Sequence, residues 1–236
     1  MRNDVAPFRR QEDAEEPQQS GGSLKRGIFI TFEGMEGSGK STQAGVLATR
    51  LADVGRPVVL TREPGGTAVG EAIRRLVKSE DADIELCPET EMLLFAASRA
   101  QLVREVILPA LKRGDIVISD RFSDSTTVYQ GKARGLDPAD VSALNRLVVS
   151  TAVPDVTILL DIEVRMGLQR LRRRSGKGGG RPDRIERENA SFHRKVRDGY
   201  LELARLWPNR IKVVDGSLGE AAVAGKIWEI VSDALR

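Results

Sequence analysis

From residue 27 onward, short runs rich in Val, Ile and Leu alternate with longer amphipathic stretches. The runs predict strands over 27–33, 57–61, 115–120, 156–161 and 211–214. They lack period-two alternation, the pattern of parallel strands covered on both faces. The stretches between them predict helices over 40–54, 68–78, 88–112, 138–150, 164–173, 184–206 and 219–235. In the sixth of these, Phe192, Val196, Tyr200, Leu203 and Leu206 recur at helical spacing and form one buried stripe. Strand–helix alternation within one domain implies an α/β fold: a doubly wound, five-stranded parallel sheet flanked by helices, with right-handed crossovers.

Composition narrows the class. A chain of 236 residues with 40% hydrophobic residues is long enough for one domain with a sizeable core. Aromatics are 4%, so that core must rest on Val, Ile, Leu and Ala. No apolar run reaches the ~18–20 residues of a membrane span. A single cysteine and a single histidine exclude an intrachain disulfide, a Cys-cluster metal site and a multi-His zinc site. Cys87, just before Pro88, is expected as a packed small residue, and His193 in a structural or solvated role. Residues 1–26 carry five acids and five bases with no apolar stretch, and are expected to be a disordered tail ahead of the domain over 27–236. With no export signal, a cytoplasmic location is expected.

Net charge is +3, but the segment from Arg165 to Arg184 holds eight bases and one acid, so the rest of the chain carries −4. A nucleic-acid-binding face would spread its charge more widely. One basic segment on a mildly acidic body reads as a local anion clamp. Its centre, RRRSGKGGGRP over 172–182, is expected to be a mobile loop because glycines oppose helix and charges oppose burial. It could serve as a lid over about 170–184.

Gly34-Met35-Glu36-Gly37-Ser38-Gly39-Lys40-Ser41 fits G-x-x-x-x-G-K-[ST] between a predicted strand and a predicted helix, the context that confirms a phosphate-binding loop. In such a loop backbone N–H groups turn inward around phosphate oxygens and the helix N-terminus adds partial positive charge. Lys40 is placed to reach the β- and γ-phosphates of ATP, and the Ser41 hydroxyl to ligate Mg²⁺. Asp120 ends the apolar run over 115–120, where a metal-supporting aspartate belongs; as a helix N-cap it would be unremarkable, and the metal role is the favoured reading. No Asn-Lys-x-Asp guanine-reading motif is present. Arg62 and Arg121 stand at the carboxyl ends of two further strands, facing the ligand crevice of an open α/β sheet. Two guanidinium forks there suit a second, phosphorylated substrate. A basic loop able to close would exclude water, as phosphoryl transfer requires.

FEGMEGSGKST, TREPGGT, LLFAASRAQ, DRFSDSTTVYQG and an Arg-rich loop leading to DRIE occur in one order, and together they resemble bacterial thymidylate kinases over 27 to about 207. The departures are the charged tail, Phe122 where the family often has Tyr or His, and a loop enlarged by SGKGGG. The resemblance implies the reaction ATP + dTMP → ADP + dTDP with Mg²⁺. It implies ATP contacts along the loop from Gly34 to Thr42 and dTMP contacts from Glu36, Arg62, Phe95, Arg99, Arg121, Ser125, Thr126 and Tyr129. Phe95 would stack on thymine and Arg99 would reach the base edge, four residues apart on one helix face. Ser125 and Thr126 would contact the base, Tyr129 would crowd a 2′-hydroxyl, Glu36 would face the 3′-hydroxyl, and Arg62 and Arg121 would hold the acceptor phosphate. In that family a catalytic arginine comes from the phosphate loop or from the lid; the loop here offers Gly37 and Ser38 and no arginine, so the resemblance implies that the lid supplies it. Arg174 is the best positional match, with Arg170 and Arg172 as neighbours. A homodimer is also implied.

Two rivals stand beside this reading. One is another nucleotide or nucleoside kinase of the same architecture. The other is a nucleic-acid-binding P-loop protein using the basic segment, disfavoured because no aromatics interleave its charges. The tail composition cannot supply a core, so deleting residues 1–23 should leave turnover unchanged and Tm within a few degrees of the full chain. A larger shift in a thermal melt would mean that the tail packs on the domain.

Overall fold

The computed structural model describes residues 27–79, 84–176 and 182–235. The expected tail over 1–26 and the centre of the basic loop, 177–181, lie outside the described residues. Five strands, β1 (Phe29–Glu33), β2 (Val58–Arg62), β3 (Ile116–Asp120), β4 (Val156–Asp161) and β5 (Ile211–Asp215), form one sheet in the order β2-β3-β1-β4-β5. Every pairing is parallel. The α/β expectation therefore holds, strand for strand.

Helices α1 (Lys40–Asp53), α2 (Ala68–Val77), α3 (Pro88–Leu102), α4 (Leu108–Arg113), α5 (Ser123–Thr126), α6 (Pro138–Val149), α7 (Val164–Gly176), α8 (Ala190–Leu206) and α9 (Glu220–Ala234) connect and flank the strands. One core layer joins α1 and α9 to the sheet through Leu47, Leu51, Ile118, Ile158 and Ile227. Another packs the α3–α4 arm over Phe29, Val117 and Phe122, with the Phe29 and Phe122 rings edge to face at 4.9 Å. All five residues of β1 are buried, including the polar Thr31, whose Oγ1 shares a hydrogen bond with Thr157 Oγ1 at 2.8 Å. Burying the central strand on both faces fixes its carboxyl end, and everything chemical is built there.

The structure corrects several expectations. Full coverage of the strands fails at the two edges, where Leu60 of β2 and Val213 of β5 are each 49% exposed. The helix over 88–112 is interrupted by a π-helical stretch, Val103–Ile107, and a second one, Thr127–Ala133, continues α5 where no helix was expected. Helix α8 starts at Ala190 rather than 184, because Asn189 accepts from the Phe192 N–H and caps it. Its stripe is buried except for Leu206, which is 43% exposed. Cys87 is exposed, not packed: it precedes α3 with Sγ 3.0 Å from Thr90 Oγ1. The segment Arg172–Gly176, expected as loop, continues α7, since its three arginines are good helix formers and only its last residue is a glycine.

Helix α7 lies directly on the loop after β1. A Cβ on Gly167 would stand 2.7 Å from both Glu36 O and Met35 Cε, and one on Gly37 would stand 2.5 Å from Gly167 O. Backbone meets backbone there, and no larger residue fits without moving the loop. Gly167→Ala should therefore cost about 1–3 kcal/mol in a urea titration, the scale of overpacking, and should lower kcat as well. A variant that melts and turns over like the parent would show that the two segments can separate freely.

Candidate active site

The loop between β1 and α1 turns back on itself with Gly37 and Gly39 at φ 75° and 99°, values that side chains resist. Gly39 leaves α1 without a side-chain cap, and no acid occupies its first turn. The helix thus presents unclaimed N–H groups and its positive end to whatever enters, a ready anion site. Lys40 Nζ donates to Met35 O at 2.8 Å and to Ser38 Oγ at 3.4 Å, arching over the loop. Burial, and after it the like charge of Arg121, lowers its ammonium to about 8, against the pull of Asp120, Glu36 and Glu33. The Ser41 hydroxyl donates to Asp120 Oδ2 at the end of β3. One hydroxyl and one carboxylate oxygen in contact are hard donors of the kind that suit Mg²⁺, which takes few protein ligands beside phosphate and water.

Arg121 follows Asp120 with φ 75°, a left-handed backbone for a side-chain-bearing residue. Its guanidinium gives Nη2 to Glu36 Oε1 at 2.8 Å and to Tyr129 Oη at 3.1 Å, and Nη1 to Ser125 Oγ and Tyr200 Oη at 3.1 and 3.2 Å. Tyr129 donates to Glu36 Oε1 at 2.7 Å. Burial alone would raise the Glu36 carboxyl; Arg121, His193 and Lys40 outweigh it and hold it well below the usual carboxylate range. Behind this pair sits Glu33, fully buried. It accepts from the Phe122 N–H at 2.8 Å, Ser125 Oγ at 2.7 Å and Tyr200 Oη at 2.6 Å. Burial, reinforced by Asp124, raises its pKa despite Arg121. Burial likewise lifts both phenols well above their ordinary range, so both remain protonated donors.

These groups open onto a cleft of ≈ 460 Å³, a size usual for small-molecule sites. Of the residues singled out in the sequence, Glu36, Gly37, Gly39, Lys40, Ser41, Thr42, Arg62, Phe95, Arg99, Asp120, Arg121, Ser125, Thr126, Tyr129 and Arg174 all line it. Met35 and Ser38 instead turn into the protein, 2% and 3% exposed. Arg62, at the end of β2, is solvent-facing and pairs with Glu71 at 3.0 Å. Arg99 is buried and engaged by Glu63, Thr126, Asn145 and the Phe122 carbonyl. Four of its five N–H groups donate to protein acceptors and Nη2 also stands 2.6 Å from Glu63 Oε2, so a base reaching it would compete for a donor already engaged. Glu63 is pushed up to about 7 by burial, with Arg99 pulling the other way. Arg174 pairs with Glu186 at the cleft rim, while Arg170 donates to Gly37 O at 3.4 Å and Gly216 O at 3.0 Å.

Sequence reasoning did not single out Glu33, Glu63 or Tyr200 for the site. An acid within an otherwise apolar strand was the available signal for Glu33. Tyr200 was legible only as part of the α8 stripe, because its hydroxyl points out of the core that its ring fills. Among the described residues no cluster of three His, Cys, Asp or Glu side chains could hold a metal by itself, and no helix is long and apolar enough to cross a membrane.

A family model described as thymidylate kinase matches residues 32–227. The chain is 50% identical to a thymidylate kinase of Pelobacter propionicus over 202 residues, 85% of this chain and 92% of that protein. It is 45% identical to that of Deinococcus radiodurans over 210 residues, 89% and 98% of the two chains. The crystal structure of thymidylate kinase from Ehrlichia chaffeensis superimposes with a TM-score of 0.69 at 33% identity, over 88% of this chain and 99% of that one.

The lowered Lys40 ammonium gives a pH signature. It is charged below about 8 and loses its proton as pH rises through that value. The kcat/KM for ATP, which reports the free enzyme, should fall above about pH 8. Lys40→Ala should fold normally yet lose about 10²–10³ in kcat. Near-parental turnover by that variant would remove the phosphate-loop assignment.

Proposed function

The chain belongs to the thymidylate kinase family, and from that membership we propose that it transfers the γ-phosphoryl group of ATP to dTMP, yielding ADP and dTDP for dTTP synthesis. One observation carries the reading at the level of the site. The uncapped N-terminus of α1 with Lys40 faces the Arg121–Glu36–Tyr129 cluster across a single cleft. A donor phosphate cradle and an acceptor site share that space, as direct transfer between two bound nucleotides requires.

In this reading the ATP phosphates lie against the loop from Gly34 to Thr42, with Lys40 at the β- and γ-phosphates. Ser41 and Asp120 would hold Mg²⁺, whose charge would offset that of the phosphates. Arg121 and Arg62 grip the acceptor phosphate, whose oxygen is already deprotonated, so no general base is needed. That suits a chain whose one histidine stands outside the cleft lining. Thymine stacks on Phe95, with Arg99, Ser125 and Thr126 around its edge, and Glu36 faces the 3′-hydroxyl. The Tyr129 ring is 4% exposed and its hydroxyl is tied to Glu36, so it is a rigid wall against a 2′-hydroxyl. Arg174 is the lid arginine that neutralises charge on the transferring group.

The protein is further read as a cytoplasmic homodimer with no nucleic-acid partner. Helix α3 packs against α2 and α6, and Val69, Leu76, Leu93 and Leu147 on these helices remain exposed, an apolar surface suited to a second copy.

The deciding experiment offers ATP with a panel of nucleosides and nucleoside monophosphates. dTMP should have the highest kcat/KM, and Arg121→Ala should lower that value about 100-fold while the KM for ATP changes little. Preference for another base, or for an unphosphorylated nucleoside, would point to a different kinase of this architecture. Tight, salt-sensitive RNA or DNA binding with slow ATPase and no acceptor would replace the kinase reading altogether.

A further inference from the structure

His193 is the only histidine in the chain and is fully buried on α8. Its Nδ1 stands 3.5 Å from Glu36 Oε2, the long edge of hydrogen bonding. Glu36 Oε2 and both ring nitrogens have no hydrogen-bond partner among the described residues. The other carboxylate oxygen, Oε1, is held by Arg121 and Tyr129. A buried carboxylate oxygen and a buried ring nitrogen that face only each other are costly unless they bond. The ring is oriented by Phe192, whose own ring meets it edge on at 5.7 Å and 89°. Hydrogen bonds in substrate-free sites are often long and shorten when substrate is bound.

We propose that His193 is the positioning residue of Glu36: its Nδ1–H donates to Oε2 and fixes the carboxylate plane toward the acceptor sugar. Glu36 sits on the phosphate loop with three side chains around it. Arg121 and Tyr129 anchor one oxygen from the acceptor side, and Lys40 lends charge from the loop. Without a donor on Oε2 the carboxylate could rotate about its terminal torsion, which is soft. With one, both oxygens are pinned, and Glu36 meets the sugar in one orientation. His193 touches no substrate; it acts from behind, as partners that orient a functional ligand do. The inference rests on the proposed placement of Glu36 at the acceptor 3′-hydroxyl.

A lone histidine makes the contact directly visible. In ¹⁵N-labelled protein the imidazole resonances need no assignment, and they should report a protonated Nδ1 whose signal moves in Glu36→Gln. An Nε2-protonated ring that is insensitive to Glu36→Gln, in both the free and the dTMP-bound protein, overturns the proposal. In kinetics His193→Phe keeps an aromatic ring, slightly larger than imidazole, and removes the donor. It should raise the KM for dTMP about tenfold, leave the KM for ATP unchanged, and lower the preference for dTMP over 3′-deoxythymidine monophosphate. His193→Asn, whose amide nitrogen overlays Nδ1, should recover most of the loss. In the Glu36→Gln background His193→Phe should add nothing further. Parental KM and preference in His193→Phe would refute the role, and so would equal losses for both substrates with no recovery by asparagine. If Glu36→Gln leaves the preference for the 3′-hydroxyl intact, the placement of Glu36 falls instead, while the imidazole spectrum still decides the His193 contact. Should His193→Phe fail to fold, the asparagine variant and the spectrum carry the decision.

Discussion

A guanidinium removed from water at the end of β3 obliges the protein to supply acceptors and negative charge within reach. Arg121 is that group, and much of the site follows from it. Glu36 brings the loop to one side of the fork, and Ser125 with Tyr200 approach the other. Glu33 then balances the arrangement from beneath, tying together the Phe122 N–H, Ser125 and Tyr200 from β1. The left-handed backbone at Arg121 is sustained by the same contacts, since the next N–H is claimed by Glu33. Arg121, the proposed acceptor arginine, is therefore preorganised. It need not be ordered by substrate, and that ordering cost does not subtract from transition-state binding.

The donor half follows a different logic. Lys40, Ser41 and Arg170 are each engaged by protein groups around the loop: a carbonyl, a carboxylate and two carbonyls. The contacts of Lys40 and Ser41 keep both groups satisfied until phosphate enters, while those of Arg170 hold α7 against the loop. The loop holds its shape through backbone contact with α7 at Gly37 and Gly167 rather than through side chains. One half of the cleft is locked by ion pairs and the other by close backbone packing.

The strand order of events along the chain was readable because parallel strands buried on both faces leave continuous apolar runs, and because the phosphate loop has a local signature. What was not readable depended on contacts between distant segments. Glu33 looks like the end of a strand until Tyr200, 167 residues later, comes to rest on it. The π-helical stretch at Thr127–Ala133 has no periodic signal of its own; it exists because Tyr129, Gln130 and Ala133 all pack inward. The edge strands misled for the opposite reason. Leu60 and Val213 read as buried strand residues, yet the sheet ends beside them. Arg99 was legible as a cleft residue, but not as one whose donors are mostly engaged within the protein.

In the proposed reaction, closing the cleft brings a lid arginine to the transferring phosphoryl, and the free state shows what holds each candidate. Arg170 bridges the phosphate loop and the turn after β5, so its role is to brace α7 against the loop. Arg174, one turn further, is half exposed and held by Glu186 alone among the described residues. Releasing Arg174 breaks one ion pair and leaves the loop in place, whereas withdrawing Arg170 would loosen the loop itself. A residue needed both to hold the loop and to leave it would work against the cradle it serves. In the proposed reaction the two arginines would thus divide bracing from charge neutralisation along a single helix.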